Sequence, residues 1–117
     1  MANSHRDYTT VLRAVESGDA SAKVELAWYK LSGLGGAKKD EEGAVSLLEE
    51  RVKEGDPDAA WMLGLCCEYG IGINQDLERL ELLYQQSSDS GNAVGDFLMW
   101  NFSSGRGKGI VKRTFGL

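Results

Sequence analysis

A chain of 117 residues, 42% apolar and 26% charged, has the composition of one globular domain and excludes a low-complexity or membrane-embedded class. Its formal charge of −5 is uneven: all eighteen carboxylates lie before residue 105 with nine Lys/Arg, a net of −9. The final GRGKGIVKRTFGL holds Arg106, Lys108, Lys112 and Arg113 and no acid, a net of +4. An acidic body argues against duplex DNA or an anionic membrane as main partner, because their phosphates repel it.

In chain order, MANSHRDYTT lacks the apolar core of a secretory leader. No run approaches the roughly twenty apolar residues that span a bilayer, so a cytoplasmic setting is expected. DYTTVLRAVESG carries Tyr8, Val11, Leu12 and Val15 at helical spacing and predicts a helix. GDASAKVELAWYKLSGLG, Gly18 to Gly35, opens on a turn, with Asp19 placed as an N-cap, and breaks on Gly33 and Gly35. A second helix follows Asp40, with Glu41 and Glu42 favourable near the positive end of its dipole. Its Ala44, Leu47, Leu48 and Val52 fall at i, i+3, i+4 and i+8, one buried stripe.

GDPDAAWMLGLCCEYGIG, Gly55 to Gly72, repeats the first phrase 37 residues on. Asp56 is its cap, and Pro57 suits the first helical position. Ala59, Leu63 and Gly64 answer Ala22, Leu26 and Ala27, small where neighbouring helices approach closely. Asp76 then opens another helix with Leu80, Leu83 and Tyr84 on its stripe. GNAVGDFLMWNFSSGRG, Gly91 to Gly107, begins a third copy 36 residues later, with Gly95, Met99 and Trp100 departing from the pattern and glycines one residue early.

The phrase A-x-x-x-L-G-x-x-x-x-x-G-x-G, then Asp, then a second helix ending at Gly-Asp or Gly-Asn, resembles the Sel-one-like repeat (SLR). That family is similar to the tetratricopeptide repeat, which has a two-helix unit of comparable period. The resemblance implies an all-α fold: a right-handed α–α superhelix that scaffolds protein–protein contact, generally without catalysis and without a cofactor. It divides the chain into an N-terminal capping helix (1–17), first and second repeats (18–54 and 55–90), a partial third (91–107) and a basic tail (108–117).

Two and a half repeats are few for a solenoid, whose units bury their faces only against neighbours. The N-terminal helix serves one end. At the other, Ile110, Val111, Phe115 and Leu117 fold back, a second copy completes the unit as a homodimer, or the chain belongs to a longer array.

First helices line the hollow side of such a stack. With Leu26 and Leu63 pointing inward, residues roughly 180–240° around each helix face the groove. These are Val24, Trp28 and Leu31, then Trp61, Leu65 and Glu68, then Phe97, Asn101 and Ser104. The set is largely apolar, with two tryptophans, and tryptophan is favoured at interface hot spots. Either these side chains pack the first helices together as core, or they receive a segment of another protein, or they receive the chain's own tail. An amphipathic or apolar peptide fits them, and rim acids such as Glu25 and Glu68 favour a basic one.

Other features carry less. Cys66 and Cys67, the only cysteines, are adjacent, too divergent on a helix for a disulfide and too few for a zinc site. They point to a reducing compartment, with at least one packed in the core. GLGG and GIG look like phosphate-loop fragments but follow helices, where they end them. His5, the single histidine, gives poor support to a nucleophile–base couple. Asn101-Phe102-Ser103 is a glycosylation sequon by accident of composition. GRGKG offers RNA a basic strand but no aromatic platform.

Overall fold

A computed structural model describes residues 6–104. His5 and the tail residues singled out above lie outside the described residues. Six α-helices follow one another: α1 Tyr8–Glu16, α2 Ala22–Ser32, α3 Glu41–Lys53, α4 Pro57–Tyr69, α5 Leu77–Asp89 and α6 Ala93–Ser103. No strand occurs among the described residues.

Short polar side chains start nearly every helix by accepting its first free N–H groups. Asp7 accepts from the Thr10 amide at 2.8 Å, Asp40 from Gly43 at 2.9 Å, Asp76 from Arg79 at 3.0 Å and Asn92 from Gly95 at 2.9 Å. Asp56 caps α4 through the amides of Asp58 and Ala59, with Pro57 opening the helix. The first unit differs. Its helix begins at Ala22 with no side-chain cap, and Asp19 accepts the Ser21 hydroxyl at 2.7 Å instead. A tight turn, with Ala22 N–H on Asp19 O and Lys23 N–H on Ala20 O, both 3.1 Å, leads into it. Ala20 lacks the ring that fixes helical φ at Pro57, so the helix sets in later.

Each helix packs on its neighbours in sequence, and α4 also packs on α6. The pairs α2–α3 and α4–α5 stack into an α–α superhelix, with α1 against α2 at one end and α6 against α5 and α4 at the other. The main core runs through Ala44, Leu48, Leu63, Leu80 and Tyr84, each essentially without solvent contact. A smaller cluster of Val11, Leu26, Tyr29 and Ala37 ties α1 to the first pair, and the Tyr29 hydroxyl donates to the Arg6 carbonyl.

Two glycines set the spacing of these elements. A Cβ on Gly64 would lie 2.5 Å from Cε1 of Tyr84, so the α5 ring packs this closely on α4 only because that atom is missing. At Gly72, with φ +69°, a Cβ would lie 2.5 Å from the Glu41 carbonyl oxygen, where the turn after α4 rests on the start of α3. The departure from alanine at Gly95 has the same kind of cause. Its missing Cβ leaves room for Ser87, whose hydroxyl would otherwise be 2.2 Å away and which donates to the Pro57 carbonyl at 2.8 Å.

Candidate interaction groove

Between α2 and α4, the first helices of successive pairs, lie two adjoining hollows of about 320 and 370 Å³ that share Trp28, Trp61 and Met62. Val24 and Tyr29 extend the wall of one, and Leu31, Leu65 and Ile71 that of the other. Trp28 is 37% exposed, its indole edge-on to Tyr29 with centroids 5.0 Å apart. Trp61 is held by a hydrogen bond. Its Nε1–H donates to Asp58 Oδ1 at 3.0 Å, and the same oxygen accepts from the Asn92 amide at 2.8 Å. Leu31, Trp61, Met62 and Leu65 each press one side on the core and are half-buried, so they act both as packing and as groove wall.

Charges stand at both outer ends. Arg6, forked on Glu25 and 3.7 Å from Asp19, borders one hollow together with Asp58. Lys39 and Glu41, 3.6 Å apart, border the other. Exposed pairs of this kind contribute little to stability, because water screens them. They leave an apolar trough with a polar rim, the usual anatomy of a contact site.

No family model matches the sequence. Among solved structures, the chain is similar to a Sel1 repeat protein from Oxalobacter formigenes, at 27% identity and TM-score 0.73 over 83% of this chain and 40% of that one. It is also similar to a protective antigen of uropathogenic Escherichia coli displaying an SLR fold, at 24% identity and TM-score 0.70. That match covers 86% of this chain and 22% of the antigen. The chain has the fold of the Sel1-like repeat structures. It spans less than half the length of either relative.

Of the residues that helical counting aimed at the groove, the fold brings Val24, Trp28, Leu31, Trp61 and Leu65 together. Glu68, Phe97 and Asn101 stand elsewhere. The Glu68 carboxylate receives the hydroxyl of Tyr84 at 2.6 Å, which turns it toward α5. That bond and, before it, burial raise the Tyr84 pKa, while the Glu68 charge raises that of Tyr69. Phe97 is 59% exposed on α6 beside Trp100, and Asn101 is half-buried on the same helix. They do not line the two hollows between α2 and α4; their helix, α6, packs on α4 and α5.

Met62 is the central residue that the counting missed. It lies four residues after Asp58 and three before Leu65, a spacing that marks a shared face once Asp58 is taken as its start. Ile71 and Arg6 lie outside helices, where periodicity gives no signal. A larger open hollow of about 800 Å³ between the start of α3 and the Gly70–Gly72 turn is polar, with Ile73 as its apolar contribution. Both cysteines are buried, and burial, followed by the charge of Cys67, pushes the Cys66 thiol up to about 11. Among the described residues no cluster of His, Cys, Asp and Glu is placed to hold a metal, and no helix is long and apolar enough to cross a membrane.

Proposed function

We propose that this chain is a non-catalytic interaction module that buries an apolar or amphipathic segment of another protein between α2 and α4. The observation that carries the reading is the pair of indoles: Trp28 and Trp61, with Met62, form the common wall of two adjoining hollows. Trp and Met there offer large contact area at low ordering cost, and Met adapts its shape to what it meets. The Asp58 bond to Trp61 fixes one ring before any partner arrives, which lowers the entropy that binding must overcome.

The test is calorimetric titration with a synthetic amphipathic helix of leucine and lysine, set against the same peptide with serine for leucine. The leucine peptide binds and the serine peptide does not. Trp28→Ala and Trp61→Ala each weaken binding by about tenfold or more while leaving far-ultraviolet dichroism intact. Loss of the helical signal in both variants returns these residues to a purely structural role. Unchanged binding in both removes the groove from consideration.

The second reading, a homodimer through α6, is supported by the exposure of Val94, Phe97 and Trp100. Charge opposes it: residues 54–104 hold nine carboxylates and one base, so two such halves repel each other. A single mass across a dilution series excludes it.

A further inference from the structure

The first helices of the units are preceded by the same place in the repeat: Asp19, Asp56 and Asn92, each directly after a glycine. At the second and third of these the side chain caps its helix, Asp56 through the amides of Asp58 and Ala59 and Asn92 through the amide of Gly95 at 2.9 Å. An ionised carboxylate can only accept there, whereas a carboxamide accepts with its oxygen and donates with its nitrogen. Asn92 does both. With Oδ1 on the Gly95 N–H, its Nδ2 donates to Asp58 Oδ1 at 2.8 Å, and that same oxygen accepts from Trp61 Nε1–H at 3.0 Å. Asp58 and Trp61 stand three apart on α4 and so share a face. Asn92 reaches them across 34 residues of chain.

The groove indole is thus joined to the start of α6 through one carboxylate oxygen. Trp61 is half-buried, packed on the core and walling both hollows. Packing on one side restrains a ring less than packing on both, and the directional bond at Nε1 supplies the missing restraint. By register, the places of Asp58 and Trp61 hold Ser21 and Val24 in the first unit and Val94 and Phe97 in the third, so neither of those offers an indole and a carboxylate to join. We propose that Asn92 is a positioning residue of the groove: it aims the Asp58 oxygen that holds Trp61, and the start of the third unit thereby sets how well the interval between the first two receives a partner. This rests on the reading of the α2–α4 interval as a binding groove. A ring already held loses less freedom when a segment docks, and releasing one such side chain weakens binding by about two- to tenfold.

Two variants keep the cap and remove the donor. Asn92→Ser retains an acceptor for Gly95 N–H but is too short to reach Asp58, and Asn92→Asp restores the cap of the earlier units while setting a second carboxylate beside the first. Proton–nitrogen correlation spectra of the full chain without peptide read the relay directly, with the Trp61 indole signal assigned through Trp61→Phe. In both variants that signal shifts and its N–H exchanges faster with solvent, while far-ultraviolet dichroism is unchanged. Calorimetric titration with the leucine–lysine helix then gives an affinity about two- to tenfold lower for Asn92→Ser. In a Trp61→Phe background, where no indole N–H remains to be held, the same substitution has no effect on affinity. An indole signal unmoved by both substitutions overturns the proposal, as does an Asn92→Ser loss that persists in full in the Trp61→Phe background. Failure of the parent chain to bind the peptide overturns the groove reading and, with it, the consequence of Asn92 for affinity, and the spectra tell that failure from a broken relay.

Discussion

Gly64→Ala separates local preference from packing, because the two have opposite signs. In an exposed helix interior, alanine for glycine is favourable by about 1 kcal/mol. At Gly64 the new Cβ would lie 2.5 Å from Cε1 and 2.7 Å from Cδ1 of Tyr84, a ring that is 1% exposed. The ring has no easy retreat. Its hydroxyl donates to Glu68 at 2.6 Å, one helical turn further along the same α4, so moving off Gly64 strains or breaks that bond. Overpacking a dense core costs about 1–3 kcal/mol, and losing a hydrogen bond to a charged group about 1.5–3 kcal/mol. After the propensity gain of about 1 kcal/mol, a net loss of about 1.5–5 kcal/mol is expected, and a domain near 100 residues melts roughly 4–8 °C lower for each kcal/mol. Urea unfolding followed by far-ultraviolet dichroism measures it for Gly64→Ala, Tyr84→Leu and the pair together. The double variant recreates the combination of the first unit, where Ala27 accompanies Leu48 one register earlier. Its two costs should therefore fail to add by about 1 kcal/mol or more. A Gly64→Ala protein as stable as the parent, or strict additivity, refutes the close-approach argument.

Two further outcomes follow from buried and capping groups. Cys66, at about 11, and Cys67, raised chiefly by burial, stay unalkylated by iodoacetamide at about pH 8 in the native protein and react fully in denaturant; rapid native labelling seen by mass spectrometry contradicts their placement. Asp7 has its pKa lowered, first by the Thr10 side chain and then by the Thr10 amide, so its stabilising effect is present above the ordinary carboxylate range and is lost as pH falls through the lowered value. Asp7→Asn keeps an acceptor for α1 and should flatten the decline of melting temperature below about pH 4; an unchanged acid limb contradicts it.

The repeat was readable because its signals are local and redundant. Asp40, Asp56 and Asp76 announce helix starts, the glycine pairs announce stops, and the stripes of α3 and α5 have the period of a one-sided core. Asp19 shows where such reading slips: cap chemistry was present, but without a proline beside it the helix began later. Five groove residues were legible because α2 and α4 are regular and share a register, so one inward residue on each sets the direction of the others. Glu68 was not, because its direction depends on Tyr84, sixteen residues away on another helix. The fate of Phe97 and Asn101 depended on how closely α6 approaches, which no periodicity encodes.

That approach has a definable cause in residues that occupy matching places in successive units. At the junction of α5 with α6 stand Ser87 and Gly95, both small, and the helices close until a single missing Cβ separates them. One unit earlier the matching residues are Arg51 and Ala59. Arg51 reaches past the helix end to place Nε 3.3 Å from the Asp56 carboxylate that caps α4. The Arg51 side chain, with its ion pair at the tip, fills more volume at that junction than the Ser87 side chain does at the next. With α6 drawn in by Ser87 and tied to Asp58 through Asn92, α4 and α6 meet face to face. At the preceding junction the larger Arg51 stands in that place, and the interval between α2 and α4 is the one whose tryptophans line a trough. Unequal junctions thus coincide with unequal intervals between otherwise similar units: where the second helix carries serine, α4 and α6 meet, and where it carries arginine, the groove lies.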